Sequence, residues 1–527
     1  MTIYDRLSLL LFGVVLLLVF FTFGDYGISW DEPSQAKYGQ LILKYYQSGL
    51  TDFSYLNFSN LYLYGGIFDF FVALVNLLSP LGTFETRHLL NALVGVLGLW
   101  GCWKISRFLA GPRAAFWSTL LLTLTPTYYG HMFNNPKDIP FAAAYIWSIY
   151  YLARTIPLLP NIPWRLMIKL GIAIGCSLAV RVGGFFLLFY LALIVGGYLI
   201  FLLIQDRSVR RWWADFGITL CPRILLIMII AFGIMLIFWP WVQLDPLPNL
   251  RQAFQEFSHF QWINPLVLFQ GRIFSADQLP LYYLPLNLLI QLPEILFFLI
   301  AAALIAALVN RKKTGVKIAA ANWGLLVLAI LVPLAYVFWK RPLLYDCARQ
   351  FIFLIMPLVV IAGAGMDYLF GIFPRTPAGA RWVAAVLLGL YLGSQAGLMA
   401  RLHPYQYISY NSFTQGLTGA QKRYELDYWC HSNREAVRDL TAYLRRKMGS
   451  AFETTQFKIS TCCDHITMSY YFPPNFHWVS DPKQADFYIG VTRCNYPQKV
   501  PGELILEVSR LGVVINNVLD LRSQHRT

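Results

Sequence analysis

The sequence predicts an all-α polytopic membrane protein of about eleven transmembrane helices, with a small C-terminal α/β or α+β domain outside the membrane. Three observations carry this reading. Of 527 residues, 57% are hydrophobic and 13% charged, where soluble proteins average ~45–50% and ~25%. The apolar residues gather in runs approaching the ~20 that a bilayer core demands. Beyond about residue 400 these runs stop, and short strand-like segments replace them. Such a composition excludes a soluble enzyme and a disordered chain. The net charge of +15 lies in clusters between apolar runs. It therefore reads as membrane topology, and no nucleic-acid partner is expected.

Residues 7–24 follow Arg6, carry no charge before Asp25 and precede no small-residue cleavage site, so they form a first span rather than a signal peptide. Further spans are expected near 88–109, 114–130, 139–153, 167–181, 183–204, 224–243, 293–309, 318–339, 350–370 and 382–400. Residues 68–81 suit a buried or interfacial helix. An odd number of spans places the termini on opposite sides. With the N-terminus cytoplasmic, the inner segments hold 17 Lys and Arg and the longer outer segments 10, which favours N-in and C-out. The expected domains are a transmembrane unit, 1–400, with outer loops 25–87, 131–138, 244–283 and 340–349, and an extracytoplasmic domain, 401–527. Within the latter, 405–444 reads as helical, and 457–461, 476–479, 486–491 and 504–508 read as strands.

The first outer loop is acidic, with six Asp and Glu against two Lys between 25 and 85. Asp31-Glu32 follows the first span closely, and Pro33 opens an amphipathic helix through about Tyr46. A carboxylate pair at a helix N-terminus can simply cap it and meet its dipole. It can also serve as a general base at a low-dielectric boundary. The second loop packs His131, Asn134, Asn135, Lys137 and Asp138 against the next span. Capping by Asn135 or Asp138, and a structural role for His131, are the plain alternatives to substrate positioning. Cations on the outer face run against the topological bias unless an anion meets them. Arg181, Lys340, Arg341 and Arg349 are such cations, and a lipid phosphate would suit their donors. Snorkelling toward headgroups is the competing explanation. Four of the eight cysteines (Cys430, Cys462, Cys463, Cys494) lie in the outer domain, where disulfides are possible but the pairing is open. The Cys462-Cys463 and His465 spacing fits no common zinc pattern, so no metal is expected.

The order of these features resembles the GT-C membrane glycosyltransferases, in particular bacterial relatives of protein O-mannosyltransferases and of the lipid A aminoarabinose transferase. The resemblance rests on Trp30-Asp-Glu-Pro-Ser-Gln-Ala-Lys-Tyr-Gly39, Asn134-Asn-Pro-Lys-Asp-Ile-Pro-Phe141, and an Arg opening a late Pro-containing span (Arg349-Gln-Phe-Ile-Phe-Leu-Ile-Met-Pro357). His403-Pro-Tyr-Gln-Tyr407 and Tyr424-Glu-Leu-Asp-Tyr-Trp429 extend it to about residue 430. It implies a GT-C-like fold in the bacterial inner membrane and transfer of a monosaccharide from a polyprenyl-phosphate-linked donor. The acceptor would be an envelope lipid, glycan or protein on the outer face, and the anomeric carbon would invert. Asp31 would be the base, with Glu32 assisting. Arg349 would meet the donor phosphate, with Lys340, Arg341 and Arg181 as further candidates. Lys137, Asp138, Asn135 and His131 would position substrate. Partners are the donor, the acceptor and membrane lipids; no cofactor is implied. The rival readings are a transporter or flippase of lipid-linked sugars, and a polyprenyl-diphosphate-dependent glycan polymerase or ligase. A transporter would more often show paired inverted halves, and none is visible. A polymerase or ligase would concentrate its motifs in one large late loop.

Overall fold

The computed structural model describes residues 1–206, 213–258, 265–310, 316–495 and 500–523. The basic segments 207–212 and 311–315, which enter the charge count above, and residues 259–264 of the loop 244–283, expected on the outer face, lie outside the described residues.

Helix α1 (Ile3–Thr22) opens on a capping box, in which Thr2 and Asp5 satisfy each other's backbone N–H groups. Then come α2 (Glu32–Gln47), α3 (Ile67–Asn76) and α4 (Thr83–Thr123). Gly111 interrupts α4 at φ 90°, ψ −179°, and Pro112 follows it. Glycine takes that angle without a Cβ penalty, and proline suits the first turn of a new helix. Ser106 Oγ and Ser118 Oγ lie 2.8 Å apart, although a straight helix would separate them by ~18 Å. The chain therefore doubles back at Gly111; its first arm corresponds to the expected span 88–109, and its second, ending at Thr123, covers the first part of the expected span 114–130. After α5 (Pro126–Asn134) come α6 (Asp138–Thr155), α7 (Trp164–Leu178), α8 (Phe185–Asp206), α9 (Cys221–Phe238), α10 (Glu294–Asn310), α11 (Val316–Lys340), α12 (Ile352–Ile372) and α13 (Ala378–Leu402).

Among the described residues, seven helices are long and apolar enough to cross a membrane. They become eight if Tyr283–Gln291 and Glu294–Val309, bent by 103°, form one broken span. Length and hydropathy thus support fewer spans than the eleven expected, although each expected segment is helical. The α4 hairpin counts once; α6, at 18 residues, is long enough but not apolar enough, and α7, at 15, is too short. Helix α6 is buried over most of its length, so neighbouring helices rather than lipid cover it and a uniformly apolar surface is not required.

Helix α12 packs between α4 and α10 through small residues. A Cβ on Gly363 would meet Ser118 Oγ at 2.0 Å, and one on Gly365 would meet the Leu299 carbonyl at 1.9 Å. Backbones approach this closely only where glycine stands. Ion pairs fix one end of the bundle: Arg107 Nε meets Asp5 Oδ1 at 2.9 Å and Arg113 Nε meets Asp367 Oδ1 at 2.6 Å. At the other end, Tyr470 OH donates to Glu85 Oε2 at 2.8 Å, tying the start of α4 to the C-terminal domain. The N-terminus and that domain therefore lie at opposite ends of the bundle.

A hairpin, β1 (Leu266–Phe269) and β2 (Arg272–Ser275), precedes the C-terminal domain. That domain packs α14 (Asn433–Met448) on a five-stranded mixed sheet of order β4-β3-β5-β7-β6. Its strands are β3 (Phe457–Thr461), β4 (Phe476–Trp478), β5 (Phe487–Val491), β6 (Glu503–Arg510) and β7 (Val513–Asp520). β3 pairs in parallel with β4 and β5, whereas β7 is antiparallel to β5 and β6. The four expected strands are present, and β7 is additional. Its alternation is masked by Asn516, which is buried and donates to Ser432 and Asn433 rather than facing water. The expectation of helix across 405–444 is corrected: a long helix begins only at Asn433. Asp427 accepts the backbone N–H groups of His431 and Ser432 at 3.0 and 2.9 Å, and such side-chain bonds compete with helix.

Gly365→Val should lower the stability of the detergent-solubilised protein by ~1–3 kcal/mol through overpacking. Gly389→Ala, with open space around its Cβ, should not; both are read from thermal unfolding.

Candidate active site

Three loops meet at the end of the bundle that carries the sheet. Trp30 N–H donates to the Trp429 carbonyl at 3.1 Å. Asn134 Nδ2 donates to the Gly27 carbonyl and Ser29 Oγ to the Asn134 carbonyl, each at 3.0 Å. A Cβ on Gly27 would sit 2.1 Å from the His431 carbonyl, so glycine is what lets the first loop lie flat on the third. These contacts hold residues 27–31, 134–138 and 428–431 in one layer.

The charged side chains of that layer form a chain of ion pairs around Arg349. This residue sits in the single 3₁₀ turn (Arg349–Phe351) before α12 and is only 3% exposed. Its Nη1 meets Asp31 Oδ2 at 3.0 Å and Asp138 Oδ2 at 3.9 Å; its Nη2 meets Asp346 Oδ2 at 2.9 Å. The guanidinium carbon lies 4.4 Å from the centre of the Trp429 ring system, within cation–π range. Asp138 also holds Arg181 Nη2 at 2.7 Å, and Asp346 holds Arg493 Nη1 at 2.5 Å. Arg493 continues to Glu425 at 3.4 Å. Asp31 makes no capping hydrogen bond although it is the N-cap of α2, so its carboxylate is free to meet Arg349. Burial raises the Asp31 pKa, but Arg349, with Lys137 and Arg181, outweighs it and holds the carboxyl below its ordinary value. Burial, with Asp346 adding and Arg493 opposing, pushes Glu425 up to about 7.

Asp31, Arg349, Asp138, Arg181 and Asn135 are therefore brought together. Asn135 Oδ1 accepts the Asp138 backbone N–H at 3.0 Å while its Nδ2 donates to the Asp138 carboxylate at 2.9 Å. It caps α6 and aims Asp138 at the arginines. Lys137 sits beside them with Nζ 4.4 Å from the Tyr64 ring centre. Its pKa is lowered by burial, against the opposing pull of Asp31. Glu32 faces elsewhere: it is buried, accepts the Ser29 N–H at 2.8 Å and meets His88 Nε2 at 3.2 Å. His131 is fully buried behind the layer, hydrogen-bonded to Tyr428 OH at 3.0 Å. Burial, followed by the Arg349 charge, keeps it neutral. Lys340 and Arg341 are exposed at the end of α11, Lys340 with its Nζ 4.2 Å from the Trp339 ring centre. Neither joins an ion pair among the described residues. The sequence reading of Glu32, His131, Lys340 and Arg341 as site groups thus meets a different placement. In each case the helix phase or the loop path directs the side chain away.

Two cavities border this cluster. One, of about 420 Å³, is lined by Trp30, Asp31, Tyr345, Asp346, Tyr428, Trp429 and Arg493, a mixture of aromatic faces and charges. The other, of about 300 Å³, opens among α8, α11 and α12. Its wall is mostly apolar (Phe141, Phe186, Tyr336, Val337, Phe353), with Arg181 as its charge. Tyr345 lines both, so one tyrosine marks their boundary. The sequence reading did not single out Tyr345, Asp346, Glu425, Trp429 or Arg493 as site residues. Glu425 and Trp429 lie inside the quoted Tyr424–Trp429 motif, and Tyr345 and Asp346 in the loop 340–349, whereas Arg493 comes from the sheet domain and has no local signal.

Cys430 pairs with Cys463, and Cys462 with Cys494. The ligand atoms of Cys462, Cys463 and Cys494 lie within 4.8 Å of one another. As disulfides they offer no thiolate, the form that binds metal. His465 stacks on Trp478 with ring centres 4.3 Å apart.

Glu32→Ala should destabilise the protein by ~1–3 kcal/mol, because it leaves a buried backbone donor and His88 unmatched. Asp31→Asn should change stability by less than ~1 kcal/mol. Thermal unfolding of the two variants separates the structural acid from the site acid.

Residues 67–237 match the family described as dolichyl-phosphate-mannose-protein mannosyltransferase; this stretch carries His131, Asn135, Lys137, Asp138 and Arg181. No curated protein matches the chain in sequence. Among solved structures, the apo oligosaccharyltransferase of Archaeoglobus fulgidus superposes over 92% of this chain with TM-score 0.50 and 13% identity; this chain spans 65% of that one. Apo ArnT of Cupriavidus metallidurans gives TM-score 0.47 and 15% identity over 97% of both chains. AglB of Archaeoglobus fulgidus, in complex with an inhibitory peptide and a dolichol-phosphate, gives 0.48 and 12% over 93% of this chain and 70% of that one. The resemblance read from the loop motifs is borne out: the chain has the fold of the GT-C membrane glycosyltransferases.

Proposed function

We infer that this membrane protein transfers a monosaccharide from a polyprenyl-phosphate carrier to an envelope acceptor, at the membrane face that bears the sheet domain. The observation that carries the reading is the Asp31–Arg349 pair, 3.0 Å apart, where an apolar cavity and an aromatic, charged cavity adjoin at Tyr345. An isoprenoid chain suits the apolar cavity, and Arg181 and Arg349 suit its phosphate. A sugar or other hydroxyl-bearing acceptor suits the aromatic cavity. The family matching 67–237 is described by a lipid-phosphate-linked mannose donor, which supports the same donor class.

The chemistry follows from these placements. The departing lipid phosphate gains negative charge as the glycosidic bond breaks, and preorganised guanidinium groups lower that barrier. The acceptor oxygen needs a base within hydrogen-bond reach. At rest Arg349 shares its charge among Asp31, Asp138 and Asp346. A donor phosphate competing for Arg349 weakens its hold on Asp31 and raises that carboxylate's basicity, so donor binding arms the base. Direct displacement inverts the anomeric centre. The proposed orientation is N-terminus in the cytoplasm and residues 401–527 outside it, in the inner membrane of a bacterium.

Asp31→Asn should lower kcat/KM by ~10²–10⁴-fold at unchanged membrane abundance, measured with a synthetic polyprenyl-phosphate sugar; retained activity removes Asp31 as the base. The pH profile adds a second check. Asp31 acts as a carboxylate with a lowered pKa, so kcat/KM should stay flat as pH falls from 8 to about 5 and fail only at lower pH. An acid limb near 7 would instead assign the base to Glu425, the group pushed up to about 7. Comparing envelope glycans of a deletion strain and its parent by mass spectrometry should reveal one missing sugar.

A further inference from the structure

The end of the bundle away from the sheet domain holds a second set of cations that the transfer reaction does not use. Lys104 on α4, Arg154 at the end of α6, and Arg165 and Lys169 on α7 line one cavity of about 400 Å³ with Trp147 and Tyr150. Among the described residues, no Asp or Glu lines it, and none of the four cations has a carboxylate partner. Two acids at this end of the bundle are engaged elsewhere, Asp5 with Arg107 and Asp367 with Arg113. Arg154, Arg165 and Lys169 are exposed and Lys104 half-buried, so four like charges converge on one open cavity, where an anion would lower their mutual repulsion.

This cavity continues into a second, of about 770 Å³, through Trp100, Trp147, Tyr151 and Lys169, which line both. The second cavity is a groove between α3, α4, α6 and α7. Apart from Lys169 its walls are almost wholly apolar, from Phe68 and Val180 at the sheet end to Trp100 at the other. Along α4 it runs from Leu90 toward Lys104, ~21 Å of helical rise. A polar mouth with a cationic cluster, opening on a long apolar trough within the hydrocarbon layer, has the charge and polarity profile of an anionic lipid. Basic pockets between membrane helices on the inner face recognise such headgroups. Topology alone asks for cations at this end, but it does not ask that they converge on one cavity or that a trough adjoin them.

We propose that this groove binds an anionic glycerophospholipid of the leaflet opposite the sheet domain, with phosphate held by Lys104, Arg154, Arg165 and Lys169 and acyl chains along α4 and α7. Four cations exceed what one phosphodiester neutralises, so a two-phosphate headgroup of the cardiolipin type fits best. The site is separate from the Asp31–Arg349 cluster and independent of the reaction proposed there.

The test is native mass spectrometry and thermal unfolding of the full-length protein in detergent, with added cardiolipin, phosphatidylethanolamine, undecaprenyl phosphate or inorganic phosphate. Wild type and Asp31→Asn should retain cardiolipin and gain thermal stability from it, in preference to phosphatidylethanolamine. Lys104→Gln with Lys169→Gln, both at solvent-accessible positions, should cut retention at least tenfold while leaving the protein folded. Ala144→Trp, which fills the groove and keeps every cation, should cut it as well. Equal retention by all variants, or equal binding of phosphatidylethanolamine, overturns the proposal. Binding of undecaprenyl phosphate in place of cardiolipin overturns the choice of occupant. If inorganic phosphate alone reproduces the stabilisation and Ala144→Trp has no effect, the groove is not a lipid site.

Discussion

A guanidinium only 3% exposed has to be met by negative charge, and the arrangement around Arg349 is organised by that demand. Asp31, Asp138 and Asp346 come from the first loop, the second loop and the segment before α12. Removing one partner of a buried pair costs ~3–5 kcal/mol because it strands the other; that weight falls on the buried Asp138 and Asp346, whereas Asp31 is one-third exposed. Trp429 supplies a fourth wall through its ring face, which brings in the segment leading to the sheet domain. The same demand would let the cluster of the proposed site be both stable and reactive. On the proposed function, an incoming phosphate would redistribute charges that are now shared through Arg349.

Helix ends place the partners. Asp31 and Asp138 each stand at the start of a helix, where a carboxylate also meets the helix dipole. Neither is consumed by capping: Glu32 serves the Ser29 N–H and Asn135 the Asp138 N–H. A division of labour between adjacent residues, one structural and one free, thus recurs in both loops. Arg493 extends the network from the sheet domain, and the Cys462–Cys494 disulfide anchors its immediate neighbour. The sheet domain is therefore a wall of the cavity.

The two ends of the bundle treat charge differently. At the sheet end, Arg181, Arg349 and Arg493 are matched by carboxylates, and reactivity would come from exchanging one anion for another. At the opposite end Asp5 and Asp367 match Arg107 and Arg113, but among the described residues Lys104, Arg154, Arg165 and Lys169 face one cavity without an acid. Apolar troughs leave both ends, and each suits a chain whose headgroup is anionic.

The sequence by itself determined the elements whose signal is local. Apolar runs marked the spans, Pro33 and Asp138 marked helix starts, and alternation marked β3 to β6, because each depends only on neighbours along the chain. It also singled out Asp31, Asp138, Arg181 and Arg349, since charge beside an apolar run is conspicuous. Tertiary structure alone decided which charges meet. Asp31 and Glu32 are adjacent in sequence, yet one reaches Arg349, 318 positions away, and the other turns to His88. Arg341 and Arg349 are equally basic, yet only the latter is enclosed. The folding of α4 at Gly111, the recruitment of Arg493 and the burial of Asn516 in β7 likewise depend on contacts between distant segments. Periodicity and composition cannot encode such contacts, because they record what a residue is and not what packs against it.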